Sequence, residues 1–117
     1  MNSELKEFFL IWIDWIRLEK RLSNNTLDSY SRDVLNFLRH LSEYKNKKIT
    51  LKEISFLNQE DLTSWFFKRL KCGLSHRSNC RSLSSIKSFI KFLIKKKKIP
   101  STKFLRLQGP KFTSMIP

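Results

Sequence analysis

Apolar residues recur along this chain at spacings of three and four, and no strand-like alternation runs longer than a few residues. The pattern therefore predicts helices throughout. Ser3 is placed to cap a first helix running to about Arg21, with Leu5, Phe8, Phe9, Trp12, Ile13 and Ile16 on one face. Leu10, Ile11 and Trp15 spread apolar surface around its sides, more than a one-sided helix needs. Ile11, Trp12 or Trp15 is accordingly expected to be partly exposed, as a surface for a neighbouring protomer or domain. Ser23 caps a second helix to about Tyr44, striped by Leu27, Tyr30, Val34, Phe37, Leu38 and Leu41. Asp28, Ser29, Arg32, Asn36 and Arg39 take its opposite side. Residues 45–49 read as a loop, and "TLKE" at 50–53 as a capping box opening a short turn. Asn58 caps a third long helix carrying Leu62, Trp65, Phe66 and Leu70, stopped by Gly73. Ser75 caps a fourth, which ends in four lysines at 95–98, cations favoured by the helix dipole, and cannot pass Pro100. A brief helical turn is expected within 101–107.

These elements predict an all-α fold, a compact bundle of four main helices plus short helical turns. The domain is expected over residues 1–107, with 108–117, "QGPKFTSMIP", as the start of a linker. A chain of 117 residues, 40% hydrophobic, is long enough to bury one core without staples, and two glycines argue against a turn-rich β domain. Cys72 and Cys80 make no disulfide framework. With His76 they fall at i, i+4 and i+8, but Gly73 interrupts the series and only His40 is left as a fourth ligand, so no metal is expected. The apolar run "FFLIWIDWI" at 8–16 is too short to span a bilayer, is broken by Asp14, and follows Glu4 and Glu7, the wrong flank for a signal peptide. A cytoplasmic protein without membrane attachment is expected.

Charge sharpens the picture. The formal net charge is +14, and Asp61 is the last of the ten carboxylate side chains. Residues 1–61 balance to zero, so the whole excess falls after them. This asymmetry points to a polyanion. It is sharpest at 74–98, "LSHRSNCRSLSSIKSFIKFLIKKKK". There Leu83, Ile86, Phe89, Ile90, Leu93 and Ile94 fill one half of the fourth helix. Arg77, Arg81, Ser84, Ser88 and Lys95 fall within about 60° of one another on the other half, flanked by Lys87 and Lys91. Small serines between long cations suit a helix in a DNA major groove, where arginine reads guanine and serine bonds phosphate. An anionic lipid surface fits less well, because the apolar half is needed for the core.

"LSNNTLDSYSRDVLNFLRHL" at 22–41 resembles the opening motif of the tyrosine recombinases, especially the Xer recombinases and related phage integrases, with Ser23, Asn25, Thr26, Tyr30, Asp33 and Phe37 in register. "RSLSSIKSFIKFLIKKKKI" at 81–99 and "GPKFTSMIP" at the end resemble two later blocks, so nearly the whole chain is covered. The resemblance implies the N-terminal core-binding, SAM-like domain, which clamps a double-stranded DNA half-site together with a catalytic domain. Carried over by position, the DNA contacts are Asn25, Thr26, Ser29 and Arg32 in the second helix and His76, Arg77, Arg81, Ser85 and Lys87 in the fourth, with Lys111 following phosphate along the linker. Ser101 and Thr102 stand where the family has an Asn-Pro motif, and Phe112 and Ile116 replace common Pro and Leu.

The family's nucleophilic tyrosine and its Arg/Lys/His cluster belong to a second domain expected past Pro117, so the chain is expected to be an excised or truncated piece with no catalytic residue. Tyr30 and Tyr44 read as core. The resemblance further implies no cofactor, an isolated domain that is monomeric, and partner protomers in the assembled complex. Its role would be chromosome-dimer resolution or mobile-element integration. The rivals are a free-standing basic protein that coats DNA or RNA without sequence choice, and a membrane-surface or protein-interaction bundle.

Overall fold

The computed structural model describes residues 2–96, 98–100 and 103–107. Among them lie α1 (Ser3–Glu19), α2 (Asn24–Lys45), α3 (Leu51–Ser55), α4 (Gln59–Lys71), α5 (His76–Lys95) and a 3-10 turn, Lys103–Arg106, with no strand. The fold is all-α, with four long helices and α3 as the short turn between the second and third of them. Residues 108–117, and Lys111 with them, fall outside the described residues.

Side-chain caps start each α-helix. Asn2, not Ser3, caps α1: its Oδ1 accepts the Leu5 N–H at 2.9 Å, while its own N–H donates to the Ile49 carbonyl at 3.0 Å. That second bond ties Asn2 into extended backbone and moves Ser3 into the first turn. Ser23, Thr50 and Ser75 cap α2, α3 and α5 as predicted. The expected capping box at Thr50 is half made, because Glu53 turns to Lys47 in an ion pair of 2.9 Å. The reciprocal box occurs at Asn58 and Asp61, with both bonds at 3.0 Å.

Gly73 stops α4. It adopts φ +95°, and the N–H groups of Gly73 and Leu74 bond back to the Leu70 and Arg69 carbonyls at 3.0 Å each. This is the Schellman arrangement, which needs a left-handed residue after the helix. It turns the chain directly into α5.

The α2–α5 pair is the most extensive helix contact. Trp12, fully buried, pins α1 onto it: the ring stacks on Tyr30 at 6.4 Å and meets Phe89 at 5.2 Å, and the indole N–H donates to Ser88 at 3.3 Å. Phe37 packs on Trp65 of α4 and on Phe104 of the 3-10 turn. Of the side surface on α1, Leu10 and Ile11 are exposed and Trp15 is half-buried against Phe92, while Trp12 is not at the surface at all. Tyr44 departs from expectation. It is 53% exposed, lying with its ring on His40 rather than in the core.

Candidate nucleic-acid interface

The helices α2 and α5 run antiparallel. Tyr30 lies level with Ser88 and Phe89 through Trp12, Asp33 bonds Ser85, and Asn36 and Arg39 share a groove with Arg69, which reaches Asn79 and Ser82. The start of α2 therefore stands beside the C-terminal half of α5, and Arg77 and Arg81 lie toward the middle and end of α2.

Most residues singled out from sequence reach the surface. Asn25, Ser29, Arg32, His76, Arg77 and Arg81 are exposed, and Thr26 and Lys87 are half-buried. The Thr26 hydroxyl is 2.9 Å from that of Ser23, so it belongs partly to the cap. Arg32 folds back on its own helix through long bonds to the Asp28 carbonyl at 3.4 Å and Ser29 at 3.5 Å, which hold the guanidinium weakly. Along α5, Arg77, Arg81, Ser84, Lys91 and Lys95 form an exposed line with no carboxylate on the helix.

Ser85 does not belong to that line. It is 1% exposed and its hydroxyl donates to Asp33 at 2.9 Å. Ser82 is likewise buried, and Ser88 is half-buried. The serines of α5 thus divide. Ser82 and Ser85 let α4 and α2 approach the helix, and Ser84 stays on the cationic side.

A polar network, absent from the sequence expectations, backs the interface. Arg69 donates through Nε to Asn79 at 2.6 Å and through a terminal nitrogen to Ser82 at 2.8 Å, with its guanidinium over the Trp65 ring at 4.7 Å. Asn79 in turn donates to the Phe66 carbonyl, and Trp65 donates to Asn36 at 2.8 Å. Burial holds Arg69 below the ordinary arginine value, with the Asp33 carboxylate opposing. Arg69, Arg32 and Arg39 line a groove of about 520 Å³ between α2 and the α4–α5 turn. A smaller cleft lies at the other end of the α2–α5 pair, where Lys87 sits.

Among the described residues, no group of three or more His, Cys, Asp and Glu side chains is placed to hold a metal ion, and no helix is long and apolar enough to cross a membrane. His40 is 7% exposed and hydrogen-bonded to Ser64 at 2.8 Å.

Residues 11–97 match the family described as phage integrase, N-terminal SAM-like domain, and the chain belongs to that family. The whole chain is 29% identical to a protein named tyrosine recombinase XerC from Rickettsia bellii (strain OSU 85-389), over 117 residues that make up 38% of the relative. Proteins of the same name from Rickettsia prowazekii (strain Madrid E) and Rickettsia felis are 28% and 27% identical over the same span. The chain covers 38% of the length of these curated relatives. No solved structure matches it significantly.

Several motif positions now have physical roles in the fold. Ser23 caps α2, Tyr30 stacks on Trp12, Asp33 accepts from Ser85, and Phe37 packs on Trp65.

Proposed function

We propose that this domain grips a half-site of double-stranded DNA for a site-specific tyrosine recombinase, presenting α5 and the start of α2 to the major groove. One observation carries the reading: the exposed line of Arg77, Arg81, Ser84, Lys91 and Lys95 on a helix without a carboxylate, with Asn25, Ser29 and Arg32 exposed on the helix beside it. Arginine presents a planar fork for guanine edges, and lysine and serine donate to phosphate. A carboxylate on that line would be repelled by the duplex. Ser85, being buried, is left out of the proposed contacts, and Lys111 keeps the phosphate role that the family resemblance implies. Joined to further recombinase protomers, the gripped half-site would enter strand exchange.

Cleavage and rejoining are assigned to residues outside this chain. Tyr30 stacks on Trp12 and Tyr44 lies on His40, so both rings serve packing. The test has two arms. Selection from a random duplex pool should converge on one sequence family, and a pool that stays random would favour the sequence-blind coating protein. Incubation with a nicked half-site that traps covalent intermediates should give no protein–DNA adduct. An adduct through Tyr30 or Tyr44 would overturn the assignment.

A further inference from the structure

The cleft at the far end of the α2–α5 pair has a volume of about 340 Å³ and brings together three helices. Lys20, the residue that caps the end of α1, Lys87 and Lys91 of α5 supply three ammonium groups. Ser84, Ser88 and Tyr30 add hydroxyls, and no carboxylate lines the cleft. None of the three lysines takes part in an ion pair among the described residues. Burial, and then the neighbouring Lys91 charge, hold Lys87 below the ordinary lysine value, so an anion entering here would relieve a repulsion already present. The Trp15 ring steadies Lys20, whose Nζ lies 5.6 Å from its centroid.

We propose that this cleft seats one backbone phosphate of the duplex and so fixes where the domain stands along the groove. The inference rests on the DNA reading above and adds α1, through Lys20, to the helices that touch the nucleic acid. Helix length supports it. From Arg77 to Lys91 α5 rises about 21 Å, whereas the major groove is about 12 Å wide. A helix with its Arg77 end on base edges therefore carries its Lys91 end out to a flanking strand. An unbridged phosphodiester oxygen pair carries one charge and accepts several bonds, which the ammonium and hydroxyl donors match. The short serines let the strand approach the helix closely.

The test uses this chain and its selected duplex, together with duplexes in which one phosphate at a time is replaced by an uncharged methylphosphonate. One position, or two adjacent ones, should weaken the unaltered chain about tenfold, the scale of a charge-assisted hydrogen bond. Lys91→Gln and Lys20→Gln change exposed side chains. They should lose a similar factor on the normal duplex, flatten the log K against log salt slope by about 0.9, and lose nothing further at that position. Lys52→Gln, on α3 and away from the cleft, is the control and should remain sensitive there.

Losses that simply add, or that Lys52→Gln matches, overturn the phosphate seat while leaving DNA binding intact. Failure of the unaltered chain to bind any duplex overturns the DNA reading and the seat together. A melting temperature raised by inorganic phosphate in the unaltered chain but not in Lys91→Gln, with DNA affinity equal in both, assigns the cleft to a free anion and also overturns the seat.

Discussion

The Ser85 hydroxyl donates to the Asp33 carboxylate at 2.9 Å, joining α5 to α2 across 52 residues of sequence. The bond stands where the two helices are pressed together, and the serine is 1% exposed. Ser85→Ala removes the donor and leaves a half-buried carboxylate without that partner. Stability should fall by about 1–2 kcal/mol, a drop of roughly 4 °C per kcal/mol for a domain of this size. Thermal melting followed by circular dichroism measures it. DNA affinity of the folded variant should be unchanged, because Ser85 does not face solvent.

Arg69 offers a sharper test of the buried network. Arg69→Met keeps the length but leaves the Asn79 and Ser82 oxygens without their donor, at a cost of about 1–3 kcal/mol. Arg69→Lys restores the charge but not the two-pronged geometry, so it should recover only part of the loss. The urea midpoint should fall in both variants, furthest in Arg69→Met.

How the sequence relates to this structure differs from residue to residue. The long helices, their ends at Ser23, Asn58, Gly73 and Ser75, and the apolar stripes follow from local spacing and cap chemistry, so they were legible. The choice of Asn2 over Ser3 was not, because the Ile49 carbonyl that decides it lies far along the chain. Ser84 and Ser85 are neighbours of identical chemistry. Helix periodicity puts Ser84 on the cationic side, but the inward role of Ser85 depends on Asp33 of another helix. Nothing in the local sequence sets Arg69 apart from the other cations, because its role comes from Asn79 and Ser82 on α5. Tyr44 fits the apolar stripe of α2, yet it is 53% exposed and its ring lies on His40.

His40 should make stability depend on pH. The Ser64 hydroxyl already donates to the Asp61 carbonyl at 2.8 Å, so the His40 ring must donate its Nε2–H to Ser64. Burial, and then the Lys68 charge, lower its pKa from the ordinary 6.5. The folded state favours neutral imidazole. Its contribution is therefore complete above a pH of about 6.5 and is lost as pH falls below that value. Melting temperatures at pH 7.5, 6.5 and 5.5 should decline toward acid. His40→Gln, which keeps a donor near Ser64, should flatten that decline.

The indoles can be told apart by quenching. Trp12 and Trp65 are fully buried, and Trp15 is half-buried beneath two lysines. Acrylamide should reach one class of emitter, and Trp15→Phe should remove it. A quenchable fraction that survives in Trp15→Phe would contradict the packing of α1.

Arginine and lysine on α5 should differ in kind. Arg77→Ala or Arg81→Ala should lose about 1–3 kcal/mol on the selected duplex and narrow the gap to a scrambled one. Lys96→Gln should weaken both duplexes alike and flatten the salt slope by about 0.9. Titrations of both duplexes at several salt concentrations separate the two. Equal losses on both duplexes in the arginine variants would remove the base-reading role.

Because every carboxylate side chain lies at or before Asp61 while the charge of +14 falls after it, the domain carries a permanent electrical lopsidedness. In the field of a polyanion such a body feels a torque as well as a pull. The molecule extends 44 Å along its longest axis, several times the screening length of about 8 Å at physiological salt. The torque therefore acts only within the last nanometre of approach, where the cationic surface of α5 is drawn foremost. Fewer encounters are wasted on a wrong attitude, and the search for the correct face is shortened before any hydrogen bond forms.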